Sequence, residues 1–311
     1  MLYPFVSVTN MKGKLMSKFY TLMLLSTAFM LPGIDVMAEE TPDVVEQATQ
    51  SSLKANLNRI ALQYNQNSVT NKDEEDNYPG TFSSDEQEVF TGIFDGNIEY
   101  ATDNMVWLNS LFMEYGESKT TEDGETTESE NADKILLTTD YTHKMWQLEE
   151  GIVGPFANLG YQTEFTTFTA EDGDDYRTKI LRGKMGMKLY DGKHLKELYA
   201  AIVEEADFTY GDTNMKTGAE IGYRFEYDIR DDMQFVSSGF YRHFFEYDKY
   251  ERTDYKYELE TNNRIDVAII NGLSFAPFVN YHLAKTRGAE KSRSDTTIGL
   301  SLGYKTNYQF W

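Results

Sequence analysis

Residues 217–229 read Thr-Gly-Ala-Glu-Ile-Gly-Tyr-Arg-Phe-Glu-Tyr-Asp-Ile, and they sort into two sets with a period of two. Thr217, Ala219, Ile221, Tyr223, Phe225, Tyr227 and Ile229 form one set; Gly218, Glu220, Gly222, Arg224, Glu226 and Asp228 form the other. Successive side chains of a strand point to opposite faces, so one face here is apolar and the other is charged. The stretch is a strand lying between two different media.

The same alternation continues toward the C-terminus. Residues 234–247 set Phe235, Tyr241, Phe245 and Tyr247 against Gln234, Ser238, Arg242 and Glu246. Residues 255–269 set Tyr255, Tyr257, Leu259, Ile265, Val267 and Ile269 against Lys256, Glu258, Glu260, Asn262, Arg264 and Asp266. Asn271-Gly272 follows, a pair that tolerates the positive φ angles of a two-residue hairpin turn. Residues 273–285 and 296–311 complete the series, the last with Ile298, Leu300, Leu302, Tyr304, Tyr308 and Phe310 on one face.

Toward the N-terminus, residues 195–210 place Leu198, Ala200, Ile202, Ala206 and Phe208 opposite Glu197, Glu205 and Asp207. Glu204 breaks that parity, which predicts either a bulge or a different register there. Residues 178–190 place Leu181, Met185, Met187 and Leu189 opposite Arg182, Lys184 and Lys188. Residues 155–168, with Glu164 on the polar side, 134–146, with Lys144 on the polar side, and 104–116 complete a count of ten strands. Eight and twelve are the neighbouring counts.

The connections alternate in length. Residues 117–131 are almost wholly Glu, Thr, Ser, Lys and Gly and are expected to be a water-exposed loop, and residues 171–175 are acidic. The intervening connections are short. Long loops at one end and short turns at the other mark an up-and-down antiparallel barrel that crosses a membrane. The 22 tyrosines would supply its interfacial girdles.

Upstream of residue 102 the texture differs. Lys12, Lys14 and Lys18 precede an apolar run at 19–31 and a small-residue site at Val36-Met37-Ala38, so residues 1–38 are expected to be a secretion signal. Residues 39–64 are expected to be a short periplasmic helix: Thr41 can cap it, Pro42 and Asp43 suit its first turn, and Leu53, Leu57, Ile60 and Tyr64 share a helical face. Such a stripe could support a homo-oligomer. Residues 65–101, with Lys72-Asp73-Glu74-Glu75-Asp76, are expected to be an acidic linker, leaving 102–311 as the barrel.

Composition narrows the function classes. With 29 basic and 51 acidic residues the net charge is −22, which argues against nucleic acid as a partner. The absence of cysteine removes disulfides and thiolate metal sites. A mean hydropathy of −0.55 suits a membrane barrel, because only alternate residues of each strand meet lipid. No Gly-x-Ser-x-Gly, His-Glu-x-x-His or phosphate-loop motif occurs, and no cofactor is expected. Of His143, His194, His243 and His282, only His243 lies in a strand running toward an acidic outer loop, with Glu246 and Asp248 behind it; its parity makes it a girdle residue. Asp172, Asp174 and Asp175 are a weak calcium candidate, lacking the ordered spacing of a calcium loop.

The aromatic end of the last strand resembles the sorting signal of bacterial outer-membrane proteins, with Phe310 ending the alternating set and Trp311 one residue out of step. The resemblance implies the outer membrane as location and its bilayer and barrel-insertion machinery as partners. Residues 295–304, with the arginine- and glutamate-bearing strands before them, resemble the salt-induced outer-membrane protein type, a barrel family of unknown function. That likeness covers roughly residues 107–304, and the Gly-Asn-Thr turn of that family's first hairpin is replaced here by the acidic insert.

The expected inward-facing charges are Glu164, Arg182, Lys184, Lys188, Glu220, Arg224, Glu226, Asp228, Arg242, Glu246, Lys256, Glu258, Glu260, Arg264 and Asp266. They either pair with one another and plug a structural barrel or line a narrow, porin-like, cation-preferring pore. The alternatives are a rim-located hydrolase of the omptin kind, whose Asp-x-His pattern is absent, and a surface adhesion scaffold.

Overall fold

A computed structural model describes residues 51–71, 78, 88–122, 125–169 and 173–311. The expected signal at 1–38 and the first part of the expected helix lie outside these residues. The described chain forms β1 (Ser52–Val69), β2 (Glu88–Ala101), β3 (Met105–Glu122), β4 (Glu125–His143), β5 (Trp146–Leu148), β6 (Gly151–Thr163), β7 (Phe168–Thr169) and β8 (Asp175–Tyr176). It continues as β9 (Ile180–Tyr190), β10 (Leu195–Asp207), β11 (Asn214–Arg230), β12 (Met233–Tyr247), β13 (Tyr255–Ile270), β14 (Leu273–Thr286) and β15 (Arg293–Gln309).

Each long strand pairs antiparallel with its neighbour, β1 pairs with β15, and β4 pairs with β6, so twelve strands close into a ring. The short β5 extends the edge of β6, and β7 and β8 form a separate hairpin within an outer connection. Closure satisfies every ladder and leaves no sheet edge, which is what a strand-built membrane span requires.

Two of the twelve strands stand at residues 52–69 and 88–101, where the later part of the expected helix and the two ends of the expected linker fall; most of the linker between them lies outside the described residues. In β1 the outward residues run Leu53, Ala55, Leu57 and then Ile60, Leu62, Tyr64, because the register with β15 shifts between Leu57 and Ile60. That irregularity gives Leu53, Leu57, Ile60 and Tyr64 spacings of four, three and four, which imitate a helical face. The stripe is therefore part of the barrel wall and offers no helical oligomer contact. β2 alternates Phe90, Phe94 and Ile98 with Thr91, Asp95 and Asn97, but Gly92 and Gly96 occupy outward positions and blank half of the apolar signal.

Residues 117–131, expected as a loop, are largely a continuation of the β3–β4 hairpin, whose pairing runs on to Glu122 opposite Glu125. The neighbouring ladders stop earlier, at Phe90 opposite Glu117 and at Ile135 opposite Thr163, so the hairpin projects beyond the barrel rim. Glu204 makes no bulge: β9 and β10 keep register throughout, and Glu204 faces outward near the end of its strand, where Thr217 Oγ1 donates to it at 3.0 Å.

The turns at the end that holds both chain ends of the barrel are short. Asn271 and Gly272 adopt φ of 38° and 85°, the mirror-image hairpin turn expected of them. A Cβ on Gly272 would lie 2.4 Å from the Lys305 carbonyl oxygen, so the position demands glycine twice over. Connections at the opposite end, such as residues 164–179 and 248–254, are longer.

The outer wall is apolar around the ring. Leu62, Phe90, Ile298, Ile202 and Ile221 each expose at least half of their surface, and they belong to five different strands. Soluble monomers rarely expose contiguous apolar surface on this scale. Among the described residues no helix is long and apolar enough to cross a membrane; the strands make the crossing.

Candidate functional site

The lumen is built from the inward parity of the twelve strands, and charge is concentrated on the wall formed by β9 to β13. Three levels of ion pairs descend it. At the loop end, Glu205 accepts from Arg182 at 2.5 Å and from Lys216 at 2.8 Å, and Lys216 reaches Asp254 at 3.2 Å. At mid-height, Glu220 lies between Lys184 at 2.6 Å and Arg242 at 2.5 Å, and Arg242 also donates to Glu258 at 2.5 Å. His282 Nε2 ends that row, 3.7 Å from Glu258. Nearer the short turns, Lys188 donates to Asp140 at 2.8 Å and lies 3.6 Å from Glu197.

Cross-strand registry explains these rows. Arg242 is directly opposite both Glu220 on β11 and Glu258 on β13, so three adjacent strands present base between two acids on one face. Aromatic side chains support the row from within the bore: the Arg242 guanidinium lies 4.7 Å from the Phe240 ring centroid, and Lys184 Nζ lies 5.3 Å from that of Tyr199. Tyr199 covers Gly222, where a Cβ would come within 2.4 Å of the ring, and its hydroxyl donates to Glu220 at 2.5 Å. Gly222 is the socket that lets the tyrosine lie across the lumen.

Burial decides what this arrangement does. Arg242, Glu220 and Lys188 expose 4%, 3% and 5% of their surface. A water-filled bore would wet them; instead side chains fill it at this level. The facing wall, from β15 through β1 to β2, mixes amides and hydroxyls with charge: Gln63, Asn65, Asn67, Thr91 and Ser301 are buried, Arg59 stands opposite Asp95 in the β1–β2 ladder, and Lys54 lies 3.6 Å from Glu99. Asn65 donates to Thr91 at 3.3 Å and Asn56 to Asn97 at 2.8 Å, so amide hydrogen bonds lie between the charged pairs of this wall.

The expected inward charges divide accordingly. Arg182, Lys184, Lys188, Glu220, Arg242 and Glu258 join the buried rows. Arg224 pairs with Glu226 along its own strand at 2.8 Å, Asp228 accepts from Gln234 at 2.8 Å, Glu260 accepts from Asn262 at 2.8 Å, and Arg264 pairs with Asp266 at 3.0 Å. These lie toward the short-turn end. Glu164 lies beyond the end of β6 and ties the outer connection down, accepting from the Thr178 backbone at 3.0 Å and hydroxyl at 2.6 Å. Two residues leave the lumen set. A register shift sets Glu246 opposite outward-facing Thr217, and Glu246 is exposed; another shift, between Tyr255 and Tyr257, leaves Lys256 exposed at the rim.

Lys216, Asp254, Asp140 and Tyr199 belong to the rows and are absent from the sequence-derived set. Lys216 shares parity with Glu220 one residue before the stretch that opened the reading, so extending that strand would have found it. Asp140 shares the parity of Lys144, the polar side of residues 134–146. His243 stacks on Tyr257 on the outward face, ring centroids 6.5 Å apart, away from the lumen acids. Asp172 lies outside the described residues, Asp175 begins β8, and among the described residues no three acidic or histidine side chains gather as a metal site.

An apolar exterior, a polar filled interior and short turns on one side are the construction of a bacterial outer-membrane barrel, and the outer membrane is where this chain sits. No protein-family model and no curated protein matches the chain. Among solved structures it is similar to the translocator domain of autotransporter NalP from Neisseria meningitidis, with 12% identity over 96% of this chain and 98% of that one at a TM-score of 0.36. It is also similar to the outer membrane channel DcaP of Acinetobacter baumannii, with 9% identity over 84% and 98% at 0.37. OmpT, an outer membrane protein of Vibrio cholerae, gives 7% identity over 83% and 98% at 0.37. These likenesses are too distant to carry an activity to this chain.

Proposed function

We propose that this chain is an outer-membrane barrel whose lumen is held shut by paired charges, so that it serves as a rigid membrane-anchored scaffold presenting its outer connections and the projecting β3–β4 hairpin. The observation that carries this reading is Arg242, buried and bonded to Glu220 and Glu258 across three strands. Conducting ions past that row would require breaking it. Within the same reading, residues 1–38 are the secretion signal and β15, which closes the ring against β1, is the strand offered to the insertion machinery. The outward stacking of His243 on Tyr257 supports a girdle role for it over a hydrolytic one.

Planar-bilayer recording of the purified barrel tests the proposal. The native protein gives no steady openings, and replacing the row, as in Glu220→Ala with Arg242→Ala and Glu258→Ala, produces them. Steady conductance from the native protein would put a porin-like pore in place of the scaffold.

A further inference from the structure

The outer wall is not uniformly convex. A groove of about 910 Å³ runs across the outward face of β1 to β4, extending onto β15 on one side and onto β6 and β9 on the other. It follows two adjacent ladder rows. One row links Ala55, Ile98, Asn109 and Thr139 from strand to strand, and the next links Leu57, Gly96, Leu111 and Leu137. Ala55 and Gly96 are too small to reach the level of Ile98 and Leu137, so the wall dips between them.

The groove holds one feature out of keeping with a lipid-facing wall. Asn109 is exposed there, and its side-chain amide makes no hydrogen bond with any described residue. Its neighbour Thr139 is already engaged, accepting from Trp107 Nε1 at 2.8 Å. A primary amide facing hydrocarbon without a partner is costly, and a ligand with both acyl chains and an acceptor oxygen removes that cost. A second copy of the chain fits poorly, because a concave surface against its own twin encloses a void. The groove also opens into the apolar belt, so its contents come from the bilayer.

We propose that this groove is a binding site for one diacyl phospholipid, taken from the leaflet on the short-turn side, with an acyl chain along the two rows and the Asn109 amide donating to an ester carbonyl oxygen. The choice of leaflet follows from position: Ala55, Ile98 and Asn109 all lie near the ends of β1, β2 and β3 that face the short turns. This inference rests on the membrane reading above and is independent of whether the lumen conducts.

The test is native mass spectrometry of the full barrel after reconstitution in phosphatidylethanolamine and phosphatidylglycerol vesicles and extraction into mild detergent. The native protein retains one phospholipid. Ala55→Phe, which fills the groove, lowers retention at least tenfold, and Asn109→Leu, which keeps its shape, lowers it several-fold. Ala219→Phe, on the outward face of β11, leaves it unchanged. Equal retention in Ala55→Phe, no retained lipid in the native protein, or a mass of two protein copies would each overturn the proposal. Vesicle insertion of the same samples is scored separately, so a failed groove leaves the membrane reading standing. Should Ala55→Phe not fold, Asn109→Leu decides alone, and retention equal to the native protein counts against the site.

Discussion

Arg242 shows how much rides on a single inward residue. Removing one member of a buried ion-pair set strands the others as unpaired charges, which costs about 3–5 kcal/mol, whereas replacing the whole set with neutral side chains is nearly free of penalty. Arg242→Met is therefore expected to destabilise the barrel by about 3–5 kcal/mol. Lys184→Met, Glu220→Gln, Arg242→Met and Glu258→Gln together are expected to recover most of that loss, since Lys184 also pairs with Glu220; urea titration in lipid vesicles followed by tryptophan fluorescence reads both. On the outer wall the sign of the preference reverses. Leu62 is 72% exposed, and Leu62→Arg is expected to cost about 2–4 kcal/mol if it lies near the bilayer midplane. Tyr308→Arg, at the rim, is expected to cost about 1 kcal/mol or less in the same titration. At this scale the sequence was legible wherever parity was unbroken, as with Arg242 and Glu220. It misled at Glu246 and Lys256, where a one-residue shift in pairing turned a side chain to the other face, an event that alternation alone does not reveal.

Strands and turns differ in how openly they declare themselves. The β13–β14 turn was evident because Asn271-Gly272 has one favourable geometry, and Gly272 has no room for a side chain. Gly272→Val is expected to destabilise the barrel by about 1–3 kcal/mol through its positive φ alone, with the clash at Lys305 adding to it. Asn271→Gly is expected to change stability by less than about 1 kcal/mol, since glycine accepts the same angles. Equal effects of the two substitutions in the vesicle titration would show that the turn is not the constraint. β1 was hidden by its own irregularity, which rewrote a two-residue period as a helical one. β2 was hidden by its outward glycines, and those same small residues help to open the groove on the wall. The β3–β4 extension lacked an apolar face altogether, so nothing in its composition distinguished a hairpin from a loop.

The closed ring is what makes these local rules consistent. Twelve strands put both barrel ends on one side, exhaust every backbone ladder and present one continuous apolar exterior. The barrel class was legible because alternation recurred in strand after strand. The strand number was not, because it depended on two segments whose alternation was masked. The filling of the lumen lay further out of reach, since it depends on which inward charges become neighbours once registers are set. Site-directed spin labelling tests the whole construction most directly, and the absence of cysteine lets labels be placed one at a time. Placed singly at positions 60 to 65 of β1 in lipid vesicles, labels at 60, 62 and 64 are predicted to be accessible to dissolved oxygen and shielded from a water-soluble nickel reagent. Labels at 61, 63 and 65 are predicted to be shielded from both. A period near 3.6 residues, or nickel access to both parities, would contradict a lipid-facing barrel strand with a filled interior behind it.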